Sequence, residues 1–176
     1  MANKPIKIAL LGLGTVGTGV YKLLSMRADD MPQIAGAPIE ISHILVRNAS
    51  KPRSGVETAL LTDNWNDIIS DPEVSIVVEL MGGIEPAHTY IKEALQANKN
   101  VVTANKDLIA VHGGELLDLA EEHHCDLQFE ASVAGAIPII HPLKQSLAGN
   151  RMTEIMGIVN GTTNYILSKM SDDSVD

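Results

Sequence analysis

The feature that most constrains this chain is Gly12-Leu13-Gly14-Thr15-Val16-Gly17, set between an apolar run and a stripe of helical period. Ile6 to Leu11 is apolar apart from Lys7 and reads as a buried strand, which Gly12 ends. From Thr15 to Arg27 the apolar residues Val16, Val20, Leu23 and Leu24 recur at the spacing of one helical face. A strand, a Gly-x-Gly-x-x-Gly turn and a helix in that order form the fingerprint of a dinucleotide site. The first glycine permits the tight turn, the second lets the backbone approach a pyrophosphate, and the third lets helix and strand pack closely. N–H groups at the helix start then face the anion, where the dipole contributes roughly 0.3–1 kcal/mol per charge contact. Three glycines that merely make a compact turn are the plainer reading. The flanking strand and helix, and the alternation beyond them, favour nucleotide binding. No Gly-Lys-Ser/Thr follows, which excludes a Walker-type phosphate loop.

That alternation continues for most of the chain. Ile39 to Val46, Val74 to Leu80, Asn100 to Thr103 and Leu127 to Phe129 read as strands. A helix is expected to start at Pro86, bury Ile91, Ala94 and Leu95, and stop at Asn98; another follows Gly113-Gly114, with Leu116, Leu117 and Ala120 inward. The pattern predicts an α/β fold of Rossmann type, a mostly parallel sheet with helices on both faces. Right-handed crossovers make the first two strands neighbours. This nucleotide-binding domain is expected over residues 1–130. Residues 131–176 read as the start of a second, α+β domain: a helix around Ile140, Leu143 and Leu147, a strand from Glu154 to Val159, and a short helix after Asn160-Gly161-Thr162-Thr163-Asn164. That strand has no evident partner in the remaining sequence. More chain or another subunit is therefore expected to cover its edge.

Composition narrows the function classes. A formal charge of -9 argues against a nucleic-acid surface, and the short basic stretch from Arg47 to Arg53 is large enough for only a single phosphate. Aromatic residues make up 3% of the chain, too few for base-stacking platforms. No run approaches the roughly eighteen apolar residues of a membrane span, and the N-terminus does not read as a signal peptide. The single cysteine, Cys125, fits a reducing cytoplasm.

Ligands in such folds bind past the carboxyl ends of the strands. The basic residues after the second strand bear on the choice of nucleotide. A carboxylate there would grip the ribose hydroxyls of NAD, whereas Arg47, with Lys51 and Arg53 behind it, offers donors suited to a 2′-phosphate and leans toward NADP. A solvated basic loop is the competing reading for Lys51 and Arg53. Gly82-Gly83 lets the backbone approach the nicotinamide side, or simply turns strand into helix. Thr103 ends the next strand, and Lys106 follows it, placed to project into the cleft near a substrate oxygen. Oxidising an alcohol needs a proton acceptor and a group that stabilises charge on oxygen, and lysine can serve either purpose. An exposed lysine at a helix start is the alternative. The six histidines read as surface or helix-end residues: His123 and His124 are adjacent, while His88, His112 and His141 have no ligand-like spacing to one another or to Cys125.

Several stretches together resemble the homoserine dehydrogenase family: the glycine loop, Val78-Glu79-Leu80-Met81-Gly82-Gly83, Val102-Thr103-Ala104-Asn105-Lys106-Asp107, Phe129 to Pro138, and Gly157 to Leu167. The resemblance implies reversible hydride transfer between NAD(P)H and L-aspartate 4-semialdehyde, giving L-homoserine, on the route to threonine, methionine and isoleucine. It makes Lys106 the catalytic-site lysine. It assigns the loop Gly12, Leu13, Gly14, Thr15, Val16 and Gly17, with Arg47, Lys51, Gly82, Gly83, Thr103 and Lys106, to the cofactor. Glu130 with the carbonyls of Val133, Gly135 and Ile137 matches the family's monovalent-cation site, where sodium is usually found. Asn160, Gly161 and Thr162 resemble the segment linking cofactor and substrate sites. Family members are commonly homodimers, and they carry further sequence, including a second catalytic lysine, that is not found within these residues. Another two-domain dehydrogenase and a non-catalytic nucleotide-sensing module are the rival readings.

Overall fold

A computed structural model describes residues 4–135, 137–158 and 160–173. The chain runs β1 (Ile6–Leu11), α1 (Thr15–Met26), α2 (Met31–Ala35), β2 (Ile39–Leu45), β3 (Leu61–Thr62), α3 (Asn66–Ile69), β4 (Val74–Glu79), α4 (Ala87–Gln96), β5 (Asn100–Thr103), α5 (Lys106–Glu122) and β6 (Leu127–Gln128). These six strands form one sheet in the order β3-β2-β1-β4-β5-β6, and every pairing is parallel. β1 and β2 are neighbours, as expected from right-handed crossovers. After β1 the chain fills one side of the sheet, then returns through β4 to the other side of β1. The gap between the ends of β1 and β4 is therefore the point where the winding reverses, and ligands bind at such points.

Alternation along β1 explains why both faces are covered. Ala9 and Leu11 join Val77, Ile91, Leu95, Leu108 and Leu116 in the larger core, against α4 and α5. Ile8 and Leu10 pack the opposite way with Ile44 and Val46, under Val20 and Leu24 of α1. A strand buried on both sides reads as a continuous apolar run, which is why β1 and β4 were legible. At the strands' amino ends, Lys7 Nζ meets Glu73 Oε2 at 2.6 Å, and the buried Lys99 donates to the carbonyls of Asp71 (2.6 Å) and Val74 (2.8 Å).

Four expectations are corrected. The helix placed after Gly113-Gly114 begins well before them, at Lys106, and runs through both glycines. Asn105 starts it: its Oδ1 accepts from the Leu108 amide at 3.2 Å, satisfying one of the donors that a helix start leaves open. The apolar stripe of α1 is buried only in part, since Val16 and Leu23 are more than half exposed. The sequence reading also missed β3 and the short α2 and α3. Lastly, residues 154–158 form no strand; Val159, assigned to that strand, lies outside the described residues, as does Ala136. The argument from an uncovered strand edge therefore falls away. A π-helical turn (Pro142–Ser146) and the helix α6 (Gly161–Asp173) do form, the latter as expected.

Candidate functional site: a nucleotide cleft at the β1–β4 switch

The glycine loop builds one wall of the site. Gly12 adopts φ +99°, a region L-residues avoid, and a side chain there would meet the Leu80 carbonyl at 3.0 Å. Gly17 is buried against the turn: a Cβ would lie 2.2 Å from the Gly12 carbonyl oxygen. Gly14 is the opposite case, with nothing within 4 Å of where a Cβ would stand. It is also the N-cap of α1, no side chain caps that helix, and no acidic residue lies in its first turn. The helix start is thus open, electropositive and unobstructed, which suits an anion.

Beyond this loop lies a cleft of about 440 Å³, within the size range of small-molecule sites. Gly12, Leu13 and Gly14 line it on one side, Arg47 and Arg53 on a second, and Met81 and Gly82 on a third. Arg53 is steadied by its own loop, its Nη1 donating to the carbonyls of Asn48 (3.2 Å) and Lys51 (2.9 Å). Arg53 rather than Lys51 shares the cleft wall with Arg47; Lys51 is exposed on the loop. A smaller adjoining pocket of about 170 Å³ is bounded by Val16, Glu79, Met81, Gly82, Ala104 and Asn105.

A buried carboxylate organises the far wall. Glu79 is fully buried at the end of β4. Its Oε1 accepts from the amides of Met81 (2.7 Å) and Gly82 (3.3 Å), and its Oε2 accepts from Thr103 Oγ1 at 2.6 Å. Thr103 Oγ1 in turn accepts from the Asn105 amide, and Asn105 Nδ2 donates to the Gly83 carbonyl at 2.6 Å. The loops after β4 and β5 are thereby tied together. Gly82 and Gly83, at φ +73° and +76°, provide the turn that brings their backbone to Glu79 and Asn105. Glu79 and Asn105 were quoted in the family stretches but not chosen as site residues. A charged residue closing a buried strand was the available signal, since a lone buried carboxylate requires donors.

Lys106 stands at the first turn of α5, exposed, directly after two residues that line the smaller pocket. Asn160 accepts a hydrogen bond from the Thr163 amide at 2.8 Å and starts α6 with Gly161 and Thr162; none of the three lines the cleft. Glu130 is engaged by backbone donors. Its Oε1 accepts from the amides of Ile139 and Ile140, and its Oε2 from that of His141 at 2.6 Å. Three of the roughly four acceptor positions of the carboxylate are used, which leaves about one for a cation. Val133 and Gly135 flank Ala134, where two successive residues have positive φ (+55° and +62°).

The amides of Ile139 and His141, then that of Ile140, hold the Glu130 carboxyl below the ordinary carboxylate range. A depressed folded value means that its stabilising contribution is complete above the ordinary value and is lost as pH falls through the lower one. We expect the amides of residues 139–141 to be strongly protected, relative to their intrinsic exchange rates, at neutral pH and to lose that protection as the solution is acidified through that value. Glu130→Ala, which removes both acceptor oxygens, should show little protection throughout; strong protection in that variant would dismiss the contact.

A parallel sheet wound in this order, with a glycine turn and a bare helix start at its reversal point, defines a nucleotide-binding domain of the Rossmann type. Two family models match the chain: the NAD-binding domain of homoserine dehydrogenase over residues 12–130, and homoserine dehydrogenase over residues 138–176. The chain belongs to the homoserine dehydrogenase family. It is 49% identical over 168 residues to the homoserine dehydrogenase of Bacillus subtilis (strain 168), which covers 95% of this chain and 39% of that protein. A homoserine dehydrogenase structure from Thiobacillus denitrificans superimposes with a TM-score of 0.84 at 44% identity, covering 98% of this chain and 40% of that one. A hyperthermophilic archaeal homoserine dehydrogenase in complex with NADPH does so at 0.74 and 25% identity, over 96% of this chain and 57% of that one. The chain thus spans about two-fifths of the length of the curated relatives it matches. Among the described residues, no helix is long and apolar enough to cross a membrane.

Proposed function

We propose that this chain is the coenzyme-binding part of a cytoplasmic enzyme that interconverts L-aspartate 4-semialdehyde and L-homoserine, within the biosynthesis of threonine, methionine and isoleucine. The observation that carries the reading is the unobstructed Gly14 turn at the uncapped start of α1, opening on the cleft between β1 and β4. NAD(P) supplies the hydride acceptor and donor there. The chain's own residues bind and orient: the loop amides from Gly12 to Gly17 hold the pyrophosphate, and Gly82, Gly83 and Thr103 shape the nicotinamide end. Lys106 exchanges a proton with the substrate oxygen or stabilises charge on it.

NADP is the coenzyme we favour, because two guanidinium groups, Arg47 and Arg53, line the cleft and neither has an acceptor to offer a free ribose hydroxyl; the archaeal relative was solved with NADPH. Sodium would be held by the carbonyls of Val133, Gly135 and Ile137, with Glu130 contributing its remaining acceptor position while it starts the following helix. We place the nucleotide-binding domain at residues 1–130 and the beginning of the substrate domain at 131–176. Within the latter, Ile155, Met156, Ile158 and Tyr165 are more than 60% exposed. The cover we assign to them is the rest of the substrate domain and the matching face of a second subunit in a homodimer.

The test monitors reduced nicotinamide absorbance with homoserine and each coenzyme, on a polypeptide extended to the length of the curated relatives. Homoserine-dependent reduction is expected, faster or at lower coenzyme concentration with NADP. Lys106→Ala should cut turnover about a hundredfold or more, the usual worth of a general acid–base group, with coenzyme affinity nearly unchanged. Arg47→Ala should weaken NADP roughly tenfold, as loss of a charge-assisted hydrogen bond does, and NAD much less. Coenzyme binding without any homoserine-dependent reduction would leave a nucleotide-sensing module instead.

A further inference from the structure

The described residues contain a cluster of side chains away from the cleft that the function above does not use. His88 on α4 and His112 on α5 stack, ring centroids 4.0 Å apart, although the sequence offered no spacing to join them. Glu115 follows His112 by three residues on the same helix, so both project from one face. Its Oε2 stands 3.3 Å from His88 Nε2 and 3.6 Å from His112 Nδ1. One ligand atom from each residue lies within 4.8 Å of the others.

Proton positions turn this cluster into a chemical problem. Glu85 Oε1 lies 3.2 Å from His88 Nδ1, and Thr89 Oγ1 donates to the other Glu85 oxygen at 2.9 Å. A carboxylate at Nδ1 selects the tautomer protonated there, which leaves a lone pair on Nε2. That Nε2 is buried and makes no hydrogen bond, yet it faces a carboxylate oxygen. A lone pair facing a lone pair in a buried position is unfavourable unless a positive species lies between them. Lys92 does not supply it, because its Nζ is held on the other oxygen, Glu115 Oε1, at 2.7 Å. This ion pair leaves Oε2 as the single oxygen turned toward the two rings.

We propose that His88, His112 and Glu115 form a site for a divalent transition-metal ion of zinc type. Two imidazole nitrogens and one carboxylate oxygen are a common zinc donor set, with metal–ligand distances of about 2.0–2.2 Å. In tetrahedral geometry those distances put neighbouring donors roughly 3.3 Å apart. Two of the three edges here are 3.3 and 3.6 Å, and the third, within 4.8 Å, would close on metal binding by rotation of the partly exposed His112 ring out of its stack on His88. Glu85 completes the arrangement by orienting a metal-binding histidine from behind, a role such carboxylates take at metal sites. Bound metal would clamp α4 to α5. Because Glu85 also stands at the edge of the coenzyme cleft, it would fix the loop after β4 as well.

The experiment titrates Zn(II) into the EDTA-stripped, dialysed chain by calorimetry, and follows Co(II) by its visible absorption as a report on coordination geometry. We expect one saturable equivalent and a four-coordinate Co(II) spectrum. His112→Ala and Glu115→Gln, both at partly exposed positions, should each weaken binding at least tenfold while circular dichroism stays unchanged. Glu85→Gln should weaken it about tenfold, as losses behind a ligand do. Replacing His123 and His124 together should have no effect. The proposal fails if no saturable binding is seen, or if affinity survives both His112→Ala and Glu115→Gln. It also fails if ring-nitrogen NMR finds His88 doubly protonated at neutral pH and indifferent to Zn(II), in which case the positive species is a proton.

Discussion

Replacing Gly17 with alanine is expected to destroy the nucleotide site by displacing the helix that carries it. The new methyl would sit 2.2 Å from the carbonyl oxygen of Gly12, well inside contact distance. The atom it meets is backbone, held in place by the Gly12 amide's bond to the Leu45 carbonyl at 2.9 Å. Neither partner can rotate away, so α1 must move off the sheet and take Val20 and Leu24 with it. Over-packing in a core costs about 1–3 kcal/mol when side chains can adjust; here the upper end of that range or more is expected. Thermal melting should fall by roughly 6 °C or more for a chain of this size. Gly14→Ala isolates the other half of the argument. Its backbone, at φ -80°, accepts a side chain, and the space around it is empty. Stability should be retained while coenzyme affinity drops by about tenfold or more, because the methyl occupies the volume the pyrophosphate needs. Equal melting temperatures for wild type and Gly17→Ala, or undiminished coenzyme binding by Gly14→Ala, would refute the respective half.

Glu79 is the second position where a large effect is expected. Alanine there would leave the fully buried hydroxyl of Thr103 and the partly buried amides of Met81 and Gly82 without their acceptor. Each buried unsatisfied group costs about 1–3 kcal/mol, so a loss of roughly 3–5 kcal/mol is expected. Glutamine should cost far less. Its oxygen still serves the two amides, and its amide nitrogen can donate to Thr103 Oγ1, at the expense of the hydroxyl proton's own partner. Denaturant unfolding of both variants checks the ordering. If Glu79→Gln were as damaging as Glu79→Ala, negative charge rather than hydrogen bonding would be what the loops require.

These two positions also show which parts of the molecule were legible beforehand. Gly17 was readable because its constraint is local: a turn of fixed length joins a strand and a helix that are adjacent in sequence. β1, β2, β4, β5 and the helix after Pro86 were readable for the same reason, each carrying its period within one segment. Glu79 was not, because its partners lie on a loop two residues on and a strand 24 residues on, and only the parallel pairing of β4 with β5 brings Thr103 opposite. The stacked pair His88 and His112 was hidden by the same kind of crossover. β3 escaped because a two-residue strand has no measurable alternation. Residues 154–158 erred in the other direction, their apolar content suggesting a strand where none forms among the described residues. For α5, glycines taken as the boundary before the helix were overruled by burial: Gly113 is inward, and the helix holds Leu108 and Leu116 in the core on either side of it.

Since all six strands point the same way, the sheet has one end that bears the cleft and another that is remote from it. Lys7 with Glu73, and Lys99 with the Asp71 and Val74 carbonyls, sit at the second end. Heat tolerance and nucleotide binding can consequently be altered independently in this scaffold: directed evolution for robustness has a whole floor of the molecule to work on without disturbing the ceiling that holds the cleft.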